Sequence, residues 1–231
     1  MRYAYLIGLL GCSFSQYAAA QDGLEWLKSR PEEDLGIERS DPSFLTAPSS
    51  REALVNFTMV GTVKSIDDGD TIDIVGKGQA RFVIRLSDID TPEVSHKPFI
   101  DNDCSCNGSP FRPGQTGGRA ATESLQQLLA VGDEVRVECY EPDPYGRFAC
   151  HVFKGALNLN LEQIKKGWGW LPTKAIWVRD PASKKAENDA RAAKRGAWGL
   201  PNQITPNDWR RQCWDAGKCD GAENWPVGPN Q

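Results

Sequence analysis

The run from Ala80 to Ser87 alternates without a break, with Phe82, Ile84 and Leu86 on one parity and Arg81, Val83 and Arg85 on the other. Successive side chains of a strand point to opposite faces, so this segment lays an apolar row against a core and displays Arg85 away from it. Two β-favouring runs precede it, Thr58 to Ile66 and Thr71 to Val75, joined by the turn formers Asp67-Asp68-Gly69-Asp70.

Downstream the period changes. After a Pro/Gly/Cys-rich loop over roughly residues 92–117, Ala121, Leu125 and Leu128 recur at helical spacing, predicting a helix from Gly118 to Leu129 with Thr116 available as its cap. Val135, Val137 and Cys139 then share one face of a strand, with Arg136 and Glu138 on the other. Glu141 to Gly146 is turn-forming, and Phe148, Cys150 and Val152 mark a partner strand from Arg147 to Phe153. Two further helices are expected, from about Leu157 to Lys166 before Gly167, and from Ser183 to about Arg195 before Gly196. The second carries Ala186, Ala190 and Ala193 as a small-residue stripe. Three strands, a helix, two strands and two helices describe a mainly β, α+β domain whose five short antiparallel strands close a small barrel.

The 231 residues suit one moderate domain with extensions. The expected divisions are 1–20, 21–55, 56–199 and 200–231. Arg2, the apolar stretch Ala4 to Leu10 and Ala18-Ala19-Ala20 read as a signal peptide cleaved before Gln21, which implies export to the periplasm or beyond the cell. Leu9-Leu10-Gly11-Cys12 offers the alternative of a lipoprotein anchored through Cys12. No other apolar run approaches the ~20 residues that span a bilayer. Residues 21–55 are polar, acidic and Pro/Ser-rich, and read as an extended arm or leader. The tail beyond Pro201 carries Trp209, Trp214 and Trp225 among prolines and glycines, and is expected to wrap onto the domain.

Six cysteines follow the expected cleavage point, an even number that after export favours disulfides. Cys139 and Cys150 flank a turn where a hairpin can pair them, Cys213 and Cys219 bracket a short loop, and Cys104 and Cys106 lie in the long loop. The connectivity stays open. Thiol ligation of zinc is disfavoured, because no CxxC is present and the chain has 2 histidines.

Net charge is −4, which denies the chain an overall basic field for capturing nucleic acid. Residues 51–200 carry 20 basic and 20 acidic side chains, so individual arginines matter more than bulk charge. Charge concentrates in Asp68-Gly-Asp-Thr71, in Arg85-Leu-Ser-Asp-Ile-Asp-Thr-Pro-Glu93 and in Asp143-Pro-Tyr-Gly-Arg147. Asp70 and Asp90 supply hard oxygen ligands suited to calcium or magnesium. Arg85 and Arg147 are permanently charged forks that can clamp a phosphate, and Glu93 is a carboxylate able to orient or deprotonate water. Taken singly each is ordinary: Asp beside Gly forms turns, and Arg147 can be a surface residue of a hairpin.

Taken together and in this order, the segments resemble the staphylococcal nuclease (thermonuclease) family over roughly residues 56–199. The resemblance implies a five-stranded OB-type barrel with three helices. It implies a calcium ion on Asp70, Asp90 and the Thr91 carbonyl, with magnesium or manganese as alternatives. Arg85 and Arg147 would be the catalytic arginines, Glu93 the general base and Tyr145 a phosphate contact. The implied reaction is endonucleolytic hydrolysis of DNA or RNA to 3′-phosphate and 5′-hydroxyl ends; a non-catalytic nucleic-acid-binding module on the same scaffold is the alternative. Two departures stand out. The cysteine-bearing loop is longer than usual, and Trp168-Gly-Trp170 follows the second helix where stacking tyrosines are expected. Trp168 and Trp170 are therefore either a base-stacking platform or core aromatics. The missing basic excess favours single strands or frayed ends as partners of a monomeric protein.

Overall fold

The computed structural model describes residues 36–39, 55–100, 108–143 and 145–223. The expected signal peptide, Cys12, Cys104, Cys106 and Trp225 lie outside them.

The strands are β1 (Ile37–Arg39), β2 (Phe57–Ile66), β3 (Thr71–Val75), β4 (Arg81–Leu86), β5 (Phe99–Ile100), β6 (Gly108–Ser109), β7 (Gly114–Gln115), β8 (Glu134–Pro142), β9 (Phe148–Lys154), β10 (Leu157–Asn158) and β11 (Ala222–Glu223). The helices are α1 (Gly118–Leu128), α2 (Leu159–Lys165), α3 (Ala182–Ala192) and α4 (Pro206–Trp209), the last running on as a π-turned helix over Arg210–Asp215.

Five strands close on themselves. β2 pairs antiparallel with β3, β3 with β4, and β8 with both β2 and β9. The ring is completed by a parallel pairing of β4 with β9, in register at Arg85 and Ala149. The barrel is thus mixed, where the alternation had suggested antiparallel pairing throughout; residue parity does not encode strand direction. Closure leaves no free edge within the ring. It is filled by the parities read from sequence, with Ile72, Ile74, Phe82, Ile84, Leu86, Val137 and Val152 all buried.

Cys139 and Cys150 face each other in the β8–β9 register and form a disulfide, and Cys213–Cys219 forms a second. Part of the polar arm contributes β1, an added strand beside β2.

The helices keep their expected places but not every boundary. α1 begins after Gly117, whose φ of 93° no β-carbon-bearing residue adopts easily, and it has no side-chain cap. Thr116 instead donates its hydroxyl to the Gly221 carbonyl, joining the C-terminal extension. α3 ends at Ala192, so Ala193 lies exposed while Ala186 and Ala190 pack inward. The chain leaves that helix through positive φ at Lys194, two residues before the expected glycine stop at Gly196, which also has positive φ.

Candidate active site

The turn after β2 carries the first carboxylates. Asp68 Oδ1 accepts the Asp70 N–H at 2.8 Å, which curls the chain so that Asp70 enters β3 with its carboxylate turned inward. Gly69 sits at the crest, where a β-carbon would stand 2.7 Å from Thr91 Oγ1 and 2.9 Å from Ala121 Cβ. Only glycine lets the turn press this closely on the β4–α1 connection and on α1. Its carbonyl accepts the buried Gln163 amide at 2.9 Å; that amide also donates to Ala121 O, and Gln163 Oε1 accepts the Ser124 hydroxyl.

The loop after β4 brings the second group. Asp88 adopts φ 65° and is buried, its carboxylate accepting the N–H groups of Arg179 and Asp180 at 2.7 and 2.8 Å, with His151 Nε2 3.3 Å away. Burial alone would raise the Asp88 pKa, but these hydrogen bonds and the His151 interaction outweigh it and hold the pKa below the usual carboxylate value. Asn160 bonds both Ser87 O and Cys150 O, and Asp90 exchanges backbone bonds with Trp170. Glu93 is fixed by its own carbonyl, which accepts the Gln115 N–H and lies against the start of α1.

Asp70, Arg85, Thr91, Glu93, Tyr145 and Arg147 line one cleft of about 560 Å³. Asp90 joins them through Arg85, whose guanidinium bridges Asp70 Oδ1 at 2.6 Å and Asp90 Oδ1 at 2.7 Å. The Thr91 N–H donates to Asp70 Oδ2 at 3.0 Å. Arg147 rests on Asp143 at 2.7 Å, with Thr71 Oγ1 3.5 Å away, and its charge lies over the Tyr145 ring, which is 78% exposed. Burial, reinforced by the charges of Asp68 and Asp90, pushes the Asp70 carboxyl up to about 7 against the opposing pull of Arg85. Arg85 is correspondingly held above the ordinary guanidinium range: Asp70 and Asp90 outweigh its desolvation.

Two sequence candidates are not on the wall of this cleft. Trp170 is 7% exposed and packed on Trp198 with ring centroids 3.8 Å apart, and half-buried Trp168 abuts Gly117. Neither lines the cleft that holds Arg147 and Glu93. Trp170 lines instead the adjoining pocket that also holds Arg85, Asp90 and Arg210, because the residues after α2 turn back under the Asp90 loop.

One cleft residue had no sequence signal. Arg210, from the helix following α4, forks onto Asp90 with Nη1 and Nη2 at 3.1 and 2.7 Å and also donates to Glu93. A lone arginine in a tryptophan-rich tail shows no local pattern that would single it out.

The donor set suits a hard divalent cation. Asp70 and Asp90 offer carboxylate oxygens, and a cation would relieve the charge crowding felt at buried Asp70. Among the described residues no three or more His, Cys, Asp and Glu side chains converge as a metal cluster, so such an ion would rest on two carboxylates, a peptide carbonyl and water.

The family model described as staphylococcal nuclease homologue matches residues 83–199. An uncharacterized endonuclease of Haemophilus influenzae is 31% identical over 150 residues, covering 65% of this chain and 72% of that protein. An uncharacterized endonuclease of Escherichia coli is 29% identical over 153 residues, covering 66% and 85%. Endonuclease YhcR of Bacillus subtilis is 31% identical over 185 residues, which is 78% of this chain but 14% of that larger protein. With the closed barrel already in place, this match assigns the chain to the staphylococcal nuclease homologue family.

Proposed function

We propose that the protein is an exported, calcium-dependent endonuclease that hydrolyses phosphodiester bonds of single-stranded or frayed DNA and RNA, leaving 3′-phosphate and 5′-hydroxyl ends. The observation that carries this reading is one cleft in which two arginines, one from β4 and one from the turn before β9, stand with Asp70 and Glu93. Magnesium and manganese are the alternative cations.

A divalent cation held by Asp70, Asp90 and the Thr91 carbonyl would supply positive charge to a nonbridging phosphate oxygen. Arg85 and Arg147 approach the phosphoryl group from the other sides, and their forks bind equatorial oxygens more strongly as negative charge grows there. Glu93 accepts a proton from a water molecule whose oxygen bonds to phosphorus as the P–O5′ bond breaks. The departing 5′ oxygen takes its proton from solvent. Tyr145, exposed beside Arg147, would contact a phosphate of the same strand. Without a basic excess the domain gains little from the dense phosphate charge of a duplex, which favours single strands and frayed ends.

The test is incubation of purified protein with single-stranded and duplex DNA and RNA in calcium, magnesium, manganese or chelator, followed by analysis of product ends. Calcium-dependent cleavage to 3′-phosphates is expected. Binding without cleavage in every cation would instead favour a nucleic-acid-binding module.

A further inference from the structure

Arg210 shares the cleft with Arg85 and Arg147 yet comes from the C-terminal extension, beyond the residues matched to the family. Its placement is firm. The preceding residue, Trp209, is buried and donates its indole N–H to the Pro113 carbonyl at 3.3 Å. Trp214, one turn later, donates to the same carbonyl at 2.9 Å. The Cys213–Cys219 disulfide closes the helix end, β11 pairs with β7, and Glu223 accepts the Gly117 N–H at 2.7 Å just before α1. The tail is thus tied at several points to the segments that position Glu93 and α1.

We propose that Arg210 is a third phosphate-binding guanidinium of this active site. In the cation-free enzyme it occupies Asp90 and Glu93, and it passes to the substrate's phosphoryl oxygens when a divalent cation takes Asp90. This inference rests on the nuclease reading above. Both oxygens of Asp90 are engaged by Arg210, one of them also by Arg85. Three guanidinium donors thus hold most of the acceptor capacity of Asp90, and a cation there competes with them for it. Arg85 is set within β4 and also reaches the Ile89 carbonyl at 3.4 Å, whereas Arg210 comes from the C-terminal extension and keeps Glu93. Its side chain is 32% exposed to the cleft, and its freed donors match the spacing of two phosphate oxygens. The exchange also keeps charges balanced, because the cation replaces arginine on Asp90 while the arginine meets an incoming anion.

The test compares wild type with Arg210→Ala and Arg210→Lys by calcium titration calorimetry without nucleic acid, and by cleavage of a short single-stranded DNA at saturating calcium. Arg210→Ala should bind calcium several-fold more tightly, having lost a competitor for Asp90. Its kcat/KM should fall roughly 10- to 100-fold, as expected for loss of a charge-assisted hydrogen bond. Arg210→Lys, which keeps the charge but not the fork, should lie between. Calcium affinity that is unchanged or weaker overturns the occupancy of Asp90, and kcat/KM within twofold of wild type overturns the phosphate role. Should Arg210→Ala fold poorly by circular dichroism, the lysine variant retains an ion pair and carries both measurements. Inactivity of wild type in every cation would defeat the nuclease reading instead, while the calorimetry would still decide whether Arg210 competes for Asp90.

Discussion

Gln163 donates its side-chain amide to the Gly69 carbonyl at 2.9 Å, joining α2 to the turn that presents Asp70. The same buried side chain accepts from Ser124 and donates to Ala121 O, so one glutamine holds turn, α1 and α2 together. Gln163→Leu preserves the volume but leaves these groups without their partner. It should cost about 2–4 kcal/mol in urea unfolding, and it should weaken calcium binding more than a distant core substitution of equal cost. Equal stability to wild type would show that water replaces the amide.

Gly69→Ala tests the close approach directly. The added carbon meets Thr91 Oγ1 and Ala121 Cβ inside van der Waals distance, so the turn must move outward. A destabilisation of about 1–3 kcal/mol in thermal unfolding is expected, with a drop in activity from the displaced Asp70. Unchanged activity together with unchanged Tm would mean that the turn accepts the added carbon without moving Asp70.

The two disulfides should respond differently to reductant. Cys139 and Cys150 are fully buried within the barrel, whereas Cys219 is partly exposed at the end of the extension. Mild dithiothreitol is expected to open Cys213–Cys219 first, lowering activity through the Arg210 helix while the barrel keeps its Tm. Replacing Cys139 and Cys150 by alanine should instead cost about 3 kcal/mol of global stability. Mass mapping of the alkylated cysteines gives the order; prior reduction of the barrel disulfide would contradict it.

Arg85 bridges two carboxylates, and a lysine ammonium cannot fork in that way. Arg85→Lys should therefore lose about 10²–10³-fold in kcat, close to the loss in Arg85→Ala, and Arg147→Ala and Glu93→Gln should be comparably impaired with their folds intact. Rapid-quench kinetics on a short DNA checks this. Near-normal turnover by any of the four removes that residue from the mechanism.

Much of this molecule could be read from local pattern. The parity of Phe82, Ile84 and Leu86 placed Arg85 on the outer face of the barrel, because strand geometry repeats every two residues whatever the partner. Cys139 and Cys150 could be paired in thought because a hairpin fixes its own register. The ordered motifs around Asp70, Asp90, Glu93 and Arg147 needed no coordinates either, since each lies within a few residues of a strand end. The tertiary structure decided what local pattern cannot carry. Arg210 meets Asp90 and Glu93 across sequence separations of 120 and 117 residues. Gln163 reaches Gly69 across 94. Trp170 is packed against Trp198 because the chain after α2 turns beneath the Asp90 loop. Such contacts arise only once the barrel has closed and distant segments share one surface, so neither residue type nor spacing announces them.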